Sequence, residues 1–195
     1  MTKPLTAGPL RVVRTAPGEP EARMQGRAAA VGHANLDELY RRYAPYVAVI
    51  ATRILGRDSE VDDLVQDVFV DALRGISGLR DPQAVKAWLA RVTVRLAVRR
   101  LRKRRVLRAL HLEGEAAGYE ELAAPGATTD QKVLLAKIYR LLDELPATTR
   151  VIWLLRHVLG EPLHSIVELS ACSQSTVQRR LRDAEGLLAK ELHDE

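Results

Sequence analysis

AVKAWLARVTVRLAVRRLRKRR, residues 84–105, is the stretch from which the rest of the chain can be read. It contains no Gly or Pro and is rich in strong helix formers, so it predicts one continuous helix. At about 100° per residue, Val85, Trp88, Leu89, Val92 and Leu96 gather on one apolar face. Arg91, Arg95, Arg99 and Arg102 form a ridge along the flank of that face. No carboxylate occurs between Asp81 and Glu113, so nothing in the local sequence neutralises the charge. A solvated basic face would account for such a helix taken alone. A helix that docks by one side and meets polyphosphate with the other also accounts for the near-exclusive use of arginine.

Composition narrows the classes. A chain of 195 residues with 47% hydrophobic content can bury one core or two small ones. Net charge is +5, which fits a nucleic-acid partner. Aromatic residues are only 4%, while Leu, Val, Ala and Arg abound, as in an all-helical protein. The single Cys172 excludes an internal disulfide and suggests a reducing compartment. No apolar run approaches the roughly 18 residues of a membrane span, and the N-terminus lacks a signal-peptide core. The expected location is the cytoplasm.

Taken in order, residues 1–34 carry Pro4, Pro9, Pro17 and Pro20 without a sustained period and read as a disordered basic arm, most of which a start at Met24 would remove. From Asn35, placed to cap, the residues Leu36, Leu39, Tyr40, Tyr43, Val47, Ile50 and Ile54 recur at helical steps until Gly56. Asp58 or Ser59 can start a second helix, whose stripe is Val61, Leu64, Val65, Val68, Phe69, Ala72 and Leu73. Glu60, Asp63, Asp67 and Asp71 lie on its outer side. Gly75 to Pro82 is a loop before the basic helix. The first domain is thus three helices over 35–105, with an acidic and a basic outer surface. Residues 106–129 read as a flexible linker.

The second domain, 130–195, opens with a helix striped by Leu134, Ile138, Leu141 and Leu145, stopped by Pro146. Thr148 or Thr149 opens another, carrying Val151, Ile152, Leu154, Leu155 and Val158 to Gly160. The remainder fits a helix-turn-helix. Ile166, Val167 and Leu169 face inward, Ala171 supplies the small residue of the turn, Cys172 plugs it, and Ser173 caps the second helix. Gln174, Ser175, Gln178, Arg179 and Arg182 then project outward, able to read base edges and grip phosphates. A helical hairpin with a polar surface would show much the same pattern. Cys172 has no His placed to activate it, the five His lack metal-ligand spacing, and Asp63 and Asp67 lack a second aspartate cluster to complete a Mg²⁺ site. No catalytic, metal or cofactor site is therefore expected.

The order RDSEVDDLVQDVFVDALRGI, AWLARVTVRLAVRRLRKRR, LDELPATTRVIWLLRHVLGEPLHSI and SQSTVQRRLRDAEGLL resembles the extracytoplasmic-function (ECF) sigma factors of bacterial RNA polymerase, from about Leu36 to Leu192. The resemblance implies an all-α protein with a three-helix region 2 and a four-helix region 4. Such a protein is not an enzyme; it binds core polymerase and directs promoter-specific initiation. Asp63, Leu64, Gln66 and Asp67 would engage the clamp of the largest polymerase subunit, and region 4 the flap of the second largest. The segment Gly75 to Ala87 and the residues Trp88, Arg91, Arg95, Arg99 and Arg102 would meet the opened −10 element. Trp88 is read as a core anchor ahead of a stacking platform. Gln174, Ser175, Gln178 and Arg179 would read the −35 element, with Arg180 and Arg182 nearer its backbone. Arg95 and the run Pro162-Leu163-His164 depart from the family's usual residues and imply an unusual promoter. An anti-sigma partner is the family expectation for control.

Two other classes of function compete. A stand-alone helix-turn-helix regulator would bind duplex without polymerase, but leaves the acidic helix unexplained. A structural RNA-binding helical protein would show no promoter preference.

Overall fold

The computed structural model describes residues 33–56, 60–75, 81–111 and 118–193. Among them every regular element is helical. Seven α-helices follow one another: α1 (His33–Leu55), α2 (Val61–Gly75), α3 (Pro82–Ala109), α4 (Thr129–Glu144), α5 (Ala147–His157), α6 (Leu163–Ser170) and α7 (Gln174–His193). The all-α expectation therefore holds. Most of the expected basic arm, 1–32, and the expected start of α2 at Asp58 or Ser59 lie outside the described residues. Asn35 is not a cap, because α1 already includes His33.

Local signals set several helix ends. Gly56 adopts φ +70° and closes α1, its N–H donating to Thr52 O at 2.8 Å. Asp81 caps α3 by accepting from Gln83 N at 3.0 Å, and Pro82 occupies the first turn. Thr128 and Gln131 form a reciprocal capping box at the start of α4. Pro146, rather than Thr148 or Thr149, is the N-cap of α5.

α1, α2 and α3 pack on one another. Val47, Ile54, Leu64, Val68, Ala72 and Leu89 are fully buried at their centre. The periodicity of α3 conceals a second buried side. Beyond the apolar face anticipated for it, Thr93, Val94, Ala97 and Leu101 are buried too, because α5 and α6 pack on α3 from the other flank. Val151, Ile152, Leu155, Ile166 and Val177 consequently share one apolar cluster with the first three helices.

The stretch expected to be a linker is not uniform. α3 runs on to Ala109, and Tyr119–Leu122 form a 3-10 turn in which Tyr119 and Leu122 are buried. These two residues join Ala136, Tyr139, Leu142, Leu154 and Leu188 in a second apolar cluster. The α4 stripe is shifted by comparison with its expected register. Ala136, Tyr139 and Leu142 are the buried positions, whereas Leu134 is exposed. The two tyrosines at the heart of this cluster account for the shift. Tyr119 and Tyr139 stack with ring centroids 5.1 Å apart, and no pattern of aliphatic residues announces them.

Burial raises the Tyr139 phenol to about 12, against the lowering pull of Arg150 and Arg53, and raises Tyr46 to about 12 with help from Glu161. A folded-state value above the ordinary 10 means that folding favours the neutral phenol. That contribution is complete below pH 10 and is lost as pH rises from 10 towards 12. Urea melts between pH 8 and 11 should show stability falling above pH 10, and Tyr139→Phe should flatten the fall.

Candidate nucleic-acid interface

The two charged surfaces anticipated on α2 and α3 are partly turned towards each other. Their charges pair in reverse sequence order, Asp71 with Arg95, Asp67 with Arg100 and Glu60 with Arg104, as two antiparallel helices require. Arg95 donates to Asp71 Oδ2 at 2.9 Å, Arg100 to Asp67 Oδ2 at 2.5 Å, and Arg104 to Glu60 Oε1 at 2.8 Å. Arg100 also reaches Glu60 O at 2.6 Å. Arg100 and Arg104 were missing from the candidate set, yet they anchor α3 to α2. The signal was available as acidic positions 60, 67 and 71 opposite basic positions 104, 100 and 95.

This pairing sorts the acidic residues. Asp63 and Gln66 are exposed and have no partner among the described residues, whereas Asp67 holds Arg100. Leu64 requires a correction. It is fully buried between the first three helices, so its side chain is part of the core and offers no contact surface.

The arginine ridge of α3 is sorted in the same way. Arg91, Arg95, Arg99 and Arg102 are all exposed. Arg91 lies 3.8 Å from Glu168 across the gap to α6, and Arg102 donates to Thr148 Oγ1 at 3.2 Å. Arg99 has no partner among the described residues. Trp88 packs against the core with its ring beside the end of α2: a Cβ added at Gly75 would stand 2.8 Å from Trp88 Cζ2. It is an anchor, and the remainder of the ring reaches the cleft described next.

Between this side of α3 and the helix-turn-helix lies a cleft of about 690 Å³. The four ridge arginines form one wall and the turn Ala171–Cys172 stands opposite, with no acidic residue among the lining side chains. Arg99 and Arg102 have no carboxylate partner among the described residues, so this part of the surface favours polyanions.

α6 and α7 form the helix-turn-helix expected. Ala171 takes the left-handed conformation at φ 51°, and Ser173 Oγ accepts from Thr176 N at 3.3 Å to cap α7. Ile166 and Val177 are fully buried behind the turn, while Val167, Leu169 and Cys172 are half-buried. Gln174, Ser175, Gln178, Arg179 and Arg182 are exposed together on the opposite face of α7. Arg179 lies 3.8 Å from Asp183, a loose pairing that leaves its donors available. Arg180 departs from the expected set. It is half-buried, lines the cleft towards α3, and its Nη1 is enclosed without a hydrogen-bond partner among the described residues. Successive residues on a helix diverge by about 100°, so Arg180 cannot share the outward face of Gln178.

The family model for sigma-70 region 2 matches residues 39–106. RNA polymerase sigma factor SigV of Bacillus subtilis is 29% identical over 133 residues, covering 68% of this chain and 76% of that protein. The ECF RNA polymerase sigma factor SigW of the same organism is 24% identical over 162 residues, covering 78% and 86%. In fold, the chain resembles the sigma factor RpoE in its complex with the anti-sigma factor NepR from Bartonella quintana, with TM-score 0.57, 19% identity and coverage of 81% and 96%. Residues 39–106 thus belong to the sigma-70 region 2 family, and the chain, similar over 68% and 78% of its length to two RNA polymerase sigma factors, acts in promoter-specific transcription initiation.

Proposed function

We propose that the chain is a promoter-specificity subunit without chemistry of its own, in which three surfaces divide the work. The first, on α2, docks on the clamp of core RNA polymerase through Asp63 and Gln66, with the Asp67 carboxylate shared between that contact and Arg100. The second, on α3, takes the sugar-phosphate backbone of the opened −10 element through Arg91, Arg95, Arg99 and Arg102. The third, on α7, enters the major groove of the −35 element. There Gln174, Ser175 and Gln178 face base edges, and Arg179 and Arg182 meet phosphates.

The observation that carries this reading is the sorting of arginines. Arg100 and Arg104, bonded to Asp67 and Glu60, are structural, and Arg95 lines the cleft while shared with Asp71, whereas Arg99 and Arg102 face a side of the helix without carboxylates. A polar helical hairpin has no need of such a separation. The units proposed are region 2 over 35–105 and region 4 over 130–195, with the intervening residues joining them. Among the described residues no helix is long and apolar enough to cross a membrane, which accords with action on polymerase in the cytoplasm. A separate anti-sigma protein as regulator is supported by the resemblance in fold to a sigma factor solved with one.

Run-off transcription from a promoter library with core polymerase tests the reading as a whole. Transcripts should start at a restricted set of promoters only when the chain is added. Identical starts with core alone would refute it, and tight promoter-specific duplex binding without core would favour a stand-alone regulator.

Two substitution experiments separate the surfaces. Asp67→Arg would set two cations against each other beside Arg100, so Asp63→Arg is the cleaner test of docking. It should abolish association with core polymerase in a pull-down while leaving the thermal midpoint unchanged. Gln178→Ala should cost about 1–3 kcal/mol at one base pair of the upstream element. Arg102→Ala should instead weaken binding to opened DNA evenly across sequences. The slope of log affinity against log salt should fall by roughly 0.7 if one single-strand phosphate contact is lost. Equal effects of both on all promoter variants would contradict the division.

A further inference from the structure

We propose that the cleft between α3 and the helix-turn-helix is a binding site for a nucleoside polyphosphate, with Arg99, Arg102 and Arg180 around the phosphates and an apolar floor beneath the base. The inference goes beyond the assignment of Arg99 and Arg102 to opened DNA. It stands on Arg180 and the floor, which that assignment leaves unused.

The arginines lining the cleft differ in how far their charge is answered. Arg91 lies 3.8 Å from Glu168, and Arg95 donates to Asp71 Oδ2 at 2.9 Å. Arg99, Arg102 and Arg180 have no carboxylate partner among the described residues. Arg102 donates to Thr148 Oγ1 at 3.2 Å, which orders its guanidinium within the cleft wall. Arg99 and Arg102 belong to α3 and Arg180 to α7, so the unanswered charge is supplied from both walls.

Arg180 is the residue that a solvated basic surface does not explain. It is half-buried, and its Nη1 is enclosed without a hydrogen-bond partner among the described residues. An enclosed donor that lacks an acceptor is costly, the more so on a charged group. An anion in the cleft would supply that acceptor. Phosphate oxygens suit a guanidinium, whose paired donors match two of them at once. Cations on two facing walls are met together by a chain of phosphates rather than by one.

The rest of the lining suits more than inorganic phosphate. Val94, 1% exposed, Val98, Leu169 and the exposed part of the Trp88 ring are apolar. A planar base can lie against such a floor, and stacking on an aromatic ring tolerates any base because each has a π-face. The cleft volume of about 690 Å³ falls within the range of small-molecule sites, about 300–1,000 Å³. The class recognised is therefore a polyphosphate joined to a flat ring, as in nucleoside diphosphates and triphosphates.

Titration calorimetry of the full chain with ATP, in about 0.15 M salt to suppress diffuse attraction, should give one site per chain. Inorganic tripolyphosphate carries the charge without the ring and should bind about fivefold more weakly. Arg180→Gln should weaken ATP binding about tenfold. Lys103→Gln removes an equal charge from an exposed position of α3 outside the cleft. It should change the affinity less than about twofold. Circular dichroism checks that each variant keeps its helix content. ATP should also slow the labelling of Cys172, part of the cleft wall, by a small disulfide reagent in the unaltered chain. That measurement keeps the test decisive should Arg180→Gln unfold. No binding of ATP, equal affinity for tripolyphosphate, or an equal loss in Lys103→Gln would overturn the site. A short single-stranded DNA should compete with ATP, since both need Arg99 and Arg102. ATP binding that meets the other criteria but is untouched by that DNA would uphold the site and overturn the assignment of the α3 ridge to DNA.

Discussion

The fold depends on how the carbonyl end of α1 finds its donors. A helix C-terminus carries partial negative charge and unfilled acceptors. Here that end is enclosed by α3, α4 and α5, where water cannot serve it. Arg104 from α3 and Arg150 from α5 both reach Leu55 O, at 3.0 and 3.3 Å. Arginine suits this place because one planar group can meet several acceptors while keeping its charge. Burial pushes the Arg150 guanidinium below its ordinary value, and the facing tyrosines counter part of that fall. The arrangement does not make the buried pair a large net source of stability, since an apolar replacement of similar shape often does as well. Its effect is geometric: only one placement of α5 brings Arg150 within reach of Ile54 O, Leu55 O and Asp143 at once.

A second constraint acts on α3, which is both a core element and the bearer of the chain's densest positive charge. Its two functions are kept apart by angle. The positions that turn towards α2 meet carboxylates, and Arg104 is nearly as buried as the leucines around it, at 5% exposure. The positions that turn towards α6 meet Thr148 and the helix-turn-helix, with Glu168 the nearest acid at 3.8 Å from Arg91. Exposed ion pairs such as Arg95–Asp71 contribute little energy individually. Their consequence is for the free charge on each face: pairing with α3 engages Asp67 and Asp71, while Asp62 and Asp63 stay exposed without a partner among the described residues.

How much of this was legible depended on whether the determining pattern lay within one helix or between two. The helices of the first domain, the Gly56 stop and the helix-turn-helix with its exposed Gln174, Ser175 and Gln178 could all be read, because each rests on periodicity or on a cap. Leu64 was misassigned because the resemblance places its neighbours at an interface, while its own phase on α2 puts it in the core with Val61, Val68 and Ala72. Arg180 is half-buried and turned towards the cleft, a placement that its proximity in sequence to Arg179 and Arg182 does not reveal. The second buried side of α3 was hidden because Thr93, Val94 and Ala97 break a single-stripe pattern only when two partners flank one helix. Tyr119 and Tyr139 could not be placed at all, since their partner is a backbone end distant in the chain.

These cases share one physical basis. Arginine is the residue on which the sequence is least informative, because the same side chain serves a phosphate, a carboxylate or a helix end with equal chemical competence. Within one stretch of α3, Arg99 is exposed and without a partner among the described residues, Arg100 is bonded to Asp67, and Arg104 is buried against Leu55 and Glu60. Composition counts all three as positive charge available to DNA, yet only the first is free to meet it in this arrangement. The net charge of +5 is therefore a poor measure of the electrostatic face presented to a nucleic acid. What matters is the local absence of carboxylates along the cleft side of α3, which arises because α2 packs on the other flank and holds its acids there.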